Sequence, residues 1–265
     1  MQVVAGKRVV LPSSFSGGPR DMNQRYHDGM AAVQKKGKPS LFVTMTCNPY
    51  WPEITSQLGP GEAPNDRPDL CARVFKMKLD ALLKELYTDG IFGRVIAHLH
   101  VIEFQKRGLP HAHILVILAT EHRLKTVDDI DACVSAELPA PPEWEDYETE
   151  EAYNAAYTCY EQLASLVVKQ MTHHVCGALN PHASCMQDGF CHGNFPKNFV
   201  AETTYSDDQI YPQYRRRAPD AGGATYTTDG GRVIDNSWIT PYSPYLLLRY
   251  QYRTRNIVFR DALTS

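Results

Sequence analysis

The chain contains no unbroken apolar run near the roughly 20 residues that a membrane-spanning helix requires, and no membrane partner is expected. It has no Gly-x4-Gly-Lys-Ser/Thr phosphate loop, so ATP-driven unwinding is not expected of these 265 residues. The opening Met-Gln-Val-Val-Ala-Gly-Lys-Arg lacks the apolar core of a signal peptide. Long repeats are absent too. The 7 cysteines are an odd number with no even framework, which points to reduced thiols or metal ligands and an intracellular setting. A large excess of one charge is also missing: the net charge is only −3. That balance hides an asymmetry, because residues 121–165 carry 12 acidic against 2 basic residues while the flanks are mildly basic. Phosphate binding by the flanks is thereby permitted but not required.

What is present reads as an ordinary soluble composition, 43% hydrophobic and 22% charged. Residues 20–36 have Met22, Tyr26, Met30 and Val33 at helical spacing, with Gly37 as a stop. Residues 41–46 (LFVTMT) read as a buried strand. Pro68 opens a helix carrying Val74, Phe75, Leu79, Leu82, Leu83 and Leu86, closed by Asp89-Gly90. Residues 94–104 and 110–118 read as an antiparallel strand pair, and 151–171 as a further helix. The order predicts an α+β fold: a central, mostly antiparallel sheet with helices packed on one side, an acidic insertion and a loop-rich Cys/His segment. The expected organisation is 1–120 as a metal-bearing core and 121–150 as an exposed acidic, Pro-containing insertion. Residues 151–250 form the second part of the same domain, and 251–265 a divergent tail.

The most informative stretch is Glu103-Phe-Gln-Lys-Arg-Gly-Leu-Pro-His111-Ala-His113, which leads into Ile-Leu-Val-Ile-Leu. On a strand, His111 and His113 share one face, about 7 Å apart, with Ala112 on the other. Two imidazoles so placed suit one divalent cation, with Glu103 as a third ligand and open positions for water or substrate. The alternative is a pair of core histidines satisfied by hydrogen bonds, since unpaired buried imidazoles are costly. A second His-x-His, His98-Leu-His100, falls by alternation on the face away from Glu103 and reads as solvent-facing or core histidines. The run after His113 is entirely apolar, which fits neither a metallo-β-lactamase-like hydrolase nor a cupin.

A second candidate set is His173, Cys176, Cys185 and Cys191, a spacing compatible with a Cys₃His structural Zn²⁺ site. His174, His182 and His192 lie close enough to compete as the fourth ligand, and Gly177, Gly189 and Gly193 offer tight turns. The alternative is three reduced cysteines packed under loops.

Four phrases carry a family resemblance: LPSSFSGGPRDMNQRYHDGMA (11–31), GKPSLFVTMTCNPYWPEI (37–54), IEFQKRGLPHAHILVIL (102–118) and YPQYRRR (211–217). Together they resemble the Helitron transposase, in its N-terminal replication-initiator or Helitron helicase-like region, over roughly 8–120 and 165–250. The resemblance places the chain among the His-hydrophobic-His endonucleases of rolling-circle replication and transposition. It implies Mg²⁺ or Mn²⁺ on His111 and His113, with Glu103 where the third ligand is expected. The strand ending Thr44-Met-Thr46-Cys-Asn48 looks like the motif that structures the site. The implied partners are single-stranded DNA and transposon ends, and the implied location is nuclear in a eukaryote. In such enzymes a tyrosine hydroxyl attacks a DNA phosphodiester, forming a 5′-phosphotyrosyl link and releasing a 3′-OH. Lys106 and Arg107 would hold backbone phosphates.

The departure lies at the C-terminal end. No segment here matches the family's paired-tyrosine motif, and Tyr242, Tyr245, Tyr250 and Tyr252 read as packing or loop anchors. The expectation is a chain that stops before the nucleophile, with the helicase region further downstream in the full-length protein. A truncated, non-catalytic fragment that binds DNA or metal is the alternative.

Overall fold

The computed structural model describes residues 10, 12, 14–105, 108–205, 212–251 and 258–259. Helix α1 (Pro19–Lys36) starts on a proline and stops at Gly37, whose φ of 97° ends the helical path. Strand β1 (Leu41–Thr46) and the single turn α2 (Pro52–Thr55) follow. Helix α3 (Pro68–Lys84) buries Cys71, Val74, Phe75, Leu79 and Leu82 on one face. A π-turn over Glu85–Asp89 extends it, and Gly90 (φ 66°) closes it in the left-handed conformation. Strands β2 (Val95–Phe104) and β3 (Pro110–Leu118) form a hairpin whose loop turns at Gly108, φ 77°.

The sheet runs in the order β2-β3-β1-β8, where β8 is Val258–Phe259, and every pairing is antiparallel. β3, which carries the apolar run 114–118, therefore lies in the interior of the sheet, as that composition favours. Leu41, Val43, Met45, Ala112, Ile114 and Val116 make one face, each at most 1% exposed, and pack with Phe75, Leu79 and Leu82 of α3. Truncating a fully buried Ile114 to Ala in such a core costs about 2–5 kcal/mol.

Several expectations need correction. Helices do not keep to one side: Gly29 of α1 lies against Leu99, which alternation puts on the face away from α3. The stripe Met22, Tyr26 and Met30 that marks α1 as a helix stays exposed, because α1 has no buried residue. The acidic insertion is not exposed throughout. Thr126 and Asp129 form a capping box for α4 (Val127–Cys133), and Ile130, Val134, Ala136, Glu137 and Leu138 are buried. Its charge is concentrated at 143–151, and that concentration masks the apolar spacing of 130–138. The tail also contributes, since β8 pairs with the outer side of β1.

Helix α5 (Glu150–Leu166) runs into a π-turn at Val167–Met171. Val167 and Met171 join Leu138, Ile234, Ile239, Tyr242 and Leu247 in a second core, with Leu247 on α6 (Pro244–Tyr250). The end of α6 is tied back to β1, because Trp51 Nε1 donates to Tyr250 O at 2.9 Å and Asn48 Nδ2 to Gln251 O at 2.8 Å.

The three consecutive arginines act as a structural clamp. Buried Arg216 donates from Nη1 to the carbonyls of Ala136 (3.2 Å) and Asn236 (2.8 Å). Arg217 pairs bidentately with buried Glu137, and Arg215 reaches both Glu137 and Asp131.

Candidate functional site

Register decides what the histidine strand presents. His111 is paired with Thr46 of β1 on one side and Glu103 of β2 on the other; His113 is paired with Thr44 and Val101. Cross-strand partners share a face, so Glu103, His111 and Thr46 form a row, with His113 in the next row on the same face. Ala112 points into the core at 0% exposure. His98 and His100 pair with Val116 and Ile114, which puts them on the opposite face; His98 stacks on Tyr87 at 3.5 Å between ring centroids.

Thr46 Oγ1 lies 2.6 Å from His111 Nδ1, and both residues are buried. The His111 and His113 rings meet edge to face, with centroids 4.6 Å apart, and His113 stacks on Phe42 at 5.5 Å. His113 Nε2 is 3.6 Å from Glu103 Oε2, while its buried Nδ1 has no hydrogen-bond partner among the described residues. Glu103 is on the edge strand with a side chain 62% exposed, so its carboxylate is placed by its own rotamer and not by packing. His111, His113 and Glu103 therefore share a face without forming a closed cluster of donor atoms. Among the described residues, the group of His, Cys, Asp or Glu donors drawn together tightly enough for an ion lies elsewhere. The set still fits a cation: an orphaned buried imidazole nitrogen, a second imidazole braced by a hydroxyl, and a neighbouring carboxylate. Lys106 and Arg107 lie outside the described residues.

The tight cluster is His173, Cys176, Cys185 and Cys191, whose ligand atoms all lie within 4.8 Å of one another. Strands β4 (Met186–Gln187) and β5 (Phe190–Cys191) form a two-residue hairpin turning on Asp188 (φ 51°) and Gly189 (φ 84°), and this sets Cys185 beside Cys191. His173 N–H donates to Trp238 O at 2.8 Å, and the ring stacks on Phe195 at 4.1 Å with its Nε2 3.4 Å from Cys191 Sγ. Gly177 turns at φ 72°, whereas the turn beyond Cys191 takes its positive φ at Asn194 and not at Gly193. Of the competing histidines, none enters the group.

Burial pushes the Cys176 thiol up to about 12 and the Cys185 thiol up as well. Cys191 meets the same desolvation, but backbone N–H groups of Phe195 and Gly193 and the neighbouring thiols outweigh it and hold Cys191 low. Such N–H···S donors suit a ligating thiolate. Cys176, Ala183 and Cys191 are the whole buried core of this lobe. A cluster that could hold a metal ion thus occupies the place where an apolar centre would otherwise stand.

Tyrosines of the 241–250 phrase serve packing. Tyr242 is buried and donates to Glu137 O at 2.9 Å, Tyr250 is buried, and exposed Tyr245 donates to Glu85 Oε2 at 3.2 Å. No helix among the described residues is long and apolar enough to cross a membrane.

An antiparallel sheet with paired histidines and a carboxylate on one open face defines a class, α+β domains built to present polar side chains from the middle of a sheet. Residues 1–116 match the family described as the Helitron helicase-like domain at the N-terminus, so that part of the chain is similar to it. The match runs from before α1 into β3, past His113, and leaves the Cys/His cluster outside it. No curated protein matches the chain.

Proposed function

We propose that the chain is the metal-bearing nuclease part of a Helitron transposase, acting on single-stranded DNA, with His111, His113 and Glu103 as ligands of Mg²⁺ or Mn²⁺. The observation that carries this is the row Thr46–His111–Glu103 across three neighbouring strands, inside the Helitron-matching segment. The cation, when bound, supplies Lewis-acid polarisation and a template for the scissile phosphate. Thr46 Oγ1, 2.6 Å from His111 Nδ1, would accept the Nδ1–H in the tautomer that presents Nε2 to the cation. Glu103 adds the negative charge that two neutral imidazoles lack. Lys106 and Arg107 hold the strand's phosphates in the same reading. The Cys₃His cluster holds Zn²⁺ and stabilises its lobe without taking part in chemistry.

A second reading, DNA or metal binding without cleavage, is favoured by the burial of Tyr242 and Tyr250, which withdraws them as nucleophiles. Mn²⁺ titration followed by EPR, combined with a single-stranded oligonucleotide and a search for a covalent adduct, separates the two. Stoichiometric Mn²⁺ lost in His111→Ala and His113→Ala, with an adduct lost in the same variants, supports the nuclease. Mn²⁺ binding without an adduct selects the second reading, and unchanged Mn²⁺ binding in both variants refutes the assigned ligands.

A further inference from the structure

We infer that the cavity between the Cys/His lobe and the arginine clamp seats one nucleotide of a single DNA strand, its phosphate at Lys197 and its base against the apolar wall. The inference rests on reading the chain as a single-strand DNA protein, but uses none of the residues of the histidine row.

The cavity has a volume of about 410 Å³, a size suited to a small organic ligand. Lys197 lines it half-buried, and among the described residues its ammonium makes no ion pair with a carboxylate. Its nearby partner is the Phe195 ring, 5.2 Å from Nζ to centroid. Arg216 lines the same cavity and is occupied with main-chain carbonyls, so it adds positive charge without adding an anion. Among the described residues no Asp or Glu lines the cavity. A half-buried cation without a carboxylate partner is costly, and a phosphate supplies a full negative charge in the carboxylate's place.

The remaining walls select what accompanies the phosphate. Phe195 and Tyr214 are aromatic, and Phe195 is held in place by its stack on His173. Exposed Asn198 and Gln213 bring amides, which can both donate to and accept from a base edge. Aromatic surface, amides and one cation without a carboxylate partner are the chemistry by which single-stranded bases are held. A peptide carboxylate would use the lysine and leave the amides and rings without a role.

Lys197 has one competing duty, as counter-charge to the cysteine thiolates, and the test separates the two. The zinc-loaded chain is titrated with fluorescein-labelled (dT)₁₂ by anisotropy, without added Mg²⁺ or Mn²⁺, over a range of salt. Lys197→Met is expected to weaken binding about tenfold and to reduce the slope of log K against log salt by about 0.7, the loss of one phosphate contact. Gln213→Glu, on the exposed rim, is expected to weaken binding without altering zinc content, and it answers the question if Lys197→Met does not fold. An oligonucleotide carrying 5-iododeoxyuridine should cross-link within 195–214 on irradiation.

Binding within twofold of wild type in both variants, or a cross-link confined to other segments, overturns the proposal. So does Lys197→Met lowering zinc content alone, which would make the lysine a counter-ion of the cluster. His111→Ala should leave the cross-link intact. A retained cross-link beside lost Mn²⁺ binding would leave this seat standing whatever becomes of the nuclease reading.

Discussion

Removing the buried carboxylate of Glu137 should cost the protein a large share of its stability. Glu137 is 5% exposed and accepts the Arg217 amide at 2.6 Å, Arg217 Nε and Nη2 at 3.1 and 2.8 Å, and Asn236 Nδ2 at 3.3 Å. Breaking a buried pair by deleting one partner costs about 3–5 kcal/mol. Here the arginines are partly in water, with side chains 39% exposed for Arg217 and 44% for Arg215, so solvent screens part of the interaction. A loss of about 2–3 kcal/mol remains for Glu137→Ala, and about 1–2 kcal/mol for Glu137→Gln, which keeps one acceptor oxygen. For a chain of this size each kcal/mol moves Tm by about 2–4 °C, so Glu137→Ala should melt roughly 5–10 °C lower at pH 7.

The pH dependence has a definite sign. Burial raises the Glu137 pKa, but the Arg217 hydrogen bonds and the charges of Arg217 and Arg215 outweigh it and hold it below 4.5. Its contribution is therefore present above that value and lost as pH falls through the lower, folded-state pKa. Thermal unfolding by circular dichroism at pH 7 and in acid should show the gap between wild type and Glu137→Gln closing in acid. A difference under about 1 °C at pH 7 for Glu137→Ala, or a gap to Glu137→Gln that widens in acid, would refute the clamp.

Other outcomes follow from particular contacts. Thr46→Val keeps the shape of the side chain but removes the partner of His111 Nδ1, and should weaken Mn²⁺ binding about 10–100-fold by titration. Chelation, or Cys176→Ser, should release stoichiometric zinc measured by elemental analysis and change the fluorescence of Trp238, which packs on the cysteine core. Sub-stoichiometric zinc with an unaltered spectrum would count against a structural site. A Cβ at Gly223 would sit 2.1 Å from the Arg217 carbonyl oxygen, so Gly223→Ala should destabilise by about 1–3 kcal/mol in denaturant unfolding.

The sheet was legible in the sequence because its strands announce themselves locally. Residues 41–46 (LFVTMT) and 110–118 (PHAHILVIL) are mostly apolar stretches of strand length, and they match β1 and β3 at both ends. The α3 stripe was legible for the same reason, down to its closure at Gly90. Alternation alone put His111 and His113 on one face of their strand, whereas the row with Thr46 and Glu103 depends on the cross-strand register. What escaped was non-local. Nothing in the spacing of Ile130 and Val134 reveals that Ser135 pairs with Tyr242 across more than a hundred residues. Glu137 looked like one more charge in an acidic stretch until the arginines met it. The Cys/His ligands were readable from spacing, but the choice of His173 over its neighbours came from stacking on Phe195 and the anchor at Trp238.

The alternation of β3 ties the chemistry of the site to the correctness of the fold. Ala112 lies in the hydrophobic core while His111 and His113 lie on the other face of the sheet, so a slip of one residue against β1 would turn both imidazoles into that core and put Ala112 and Ile114 on the opposite face. No intermediate arrangement keeps half of each face. A chain that presents its histidines has therefore already aligned its central strand, and the proposed metal binding would double as a report of register. Deleting one residue inside β3 should erase the site far more surely than shortening the loop at Gly108 that leads into it.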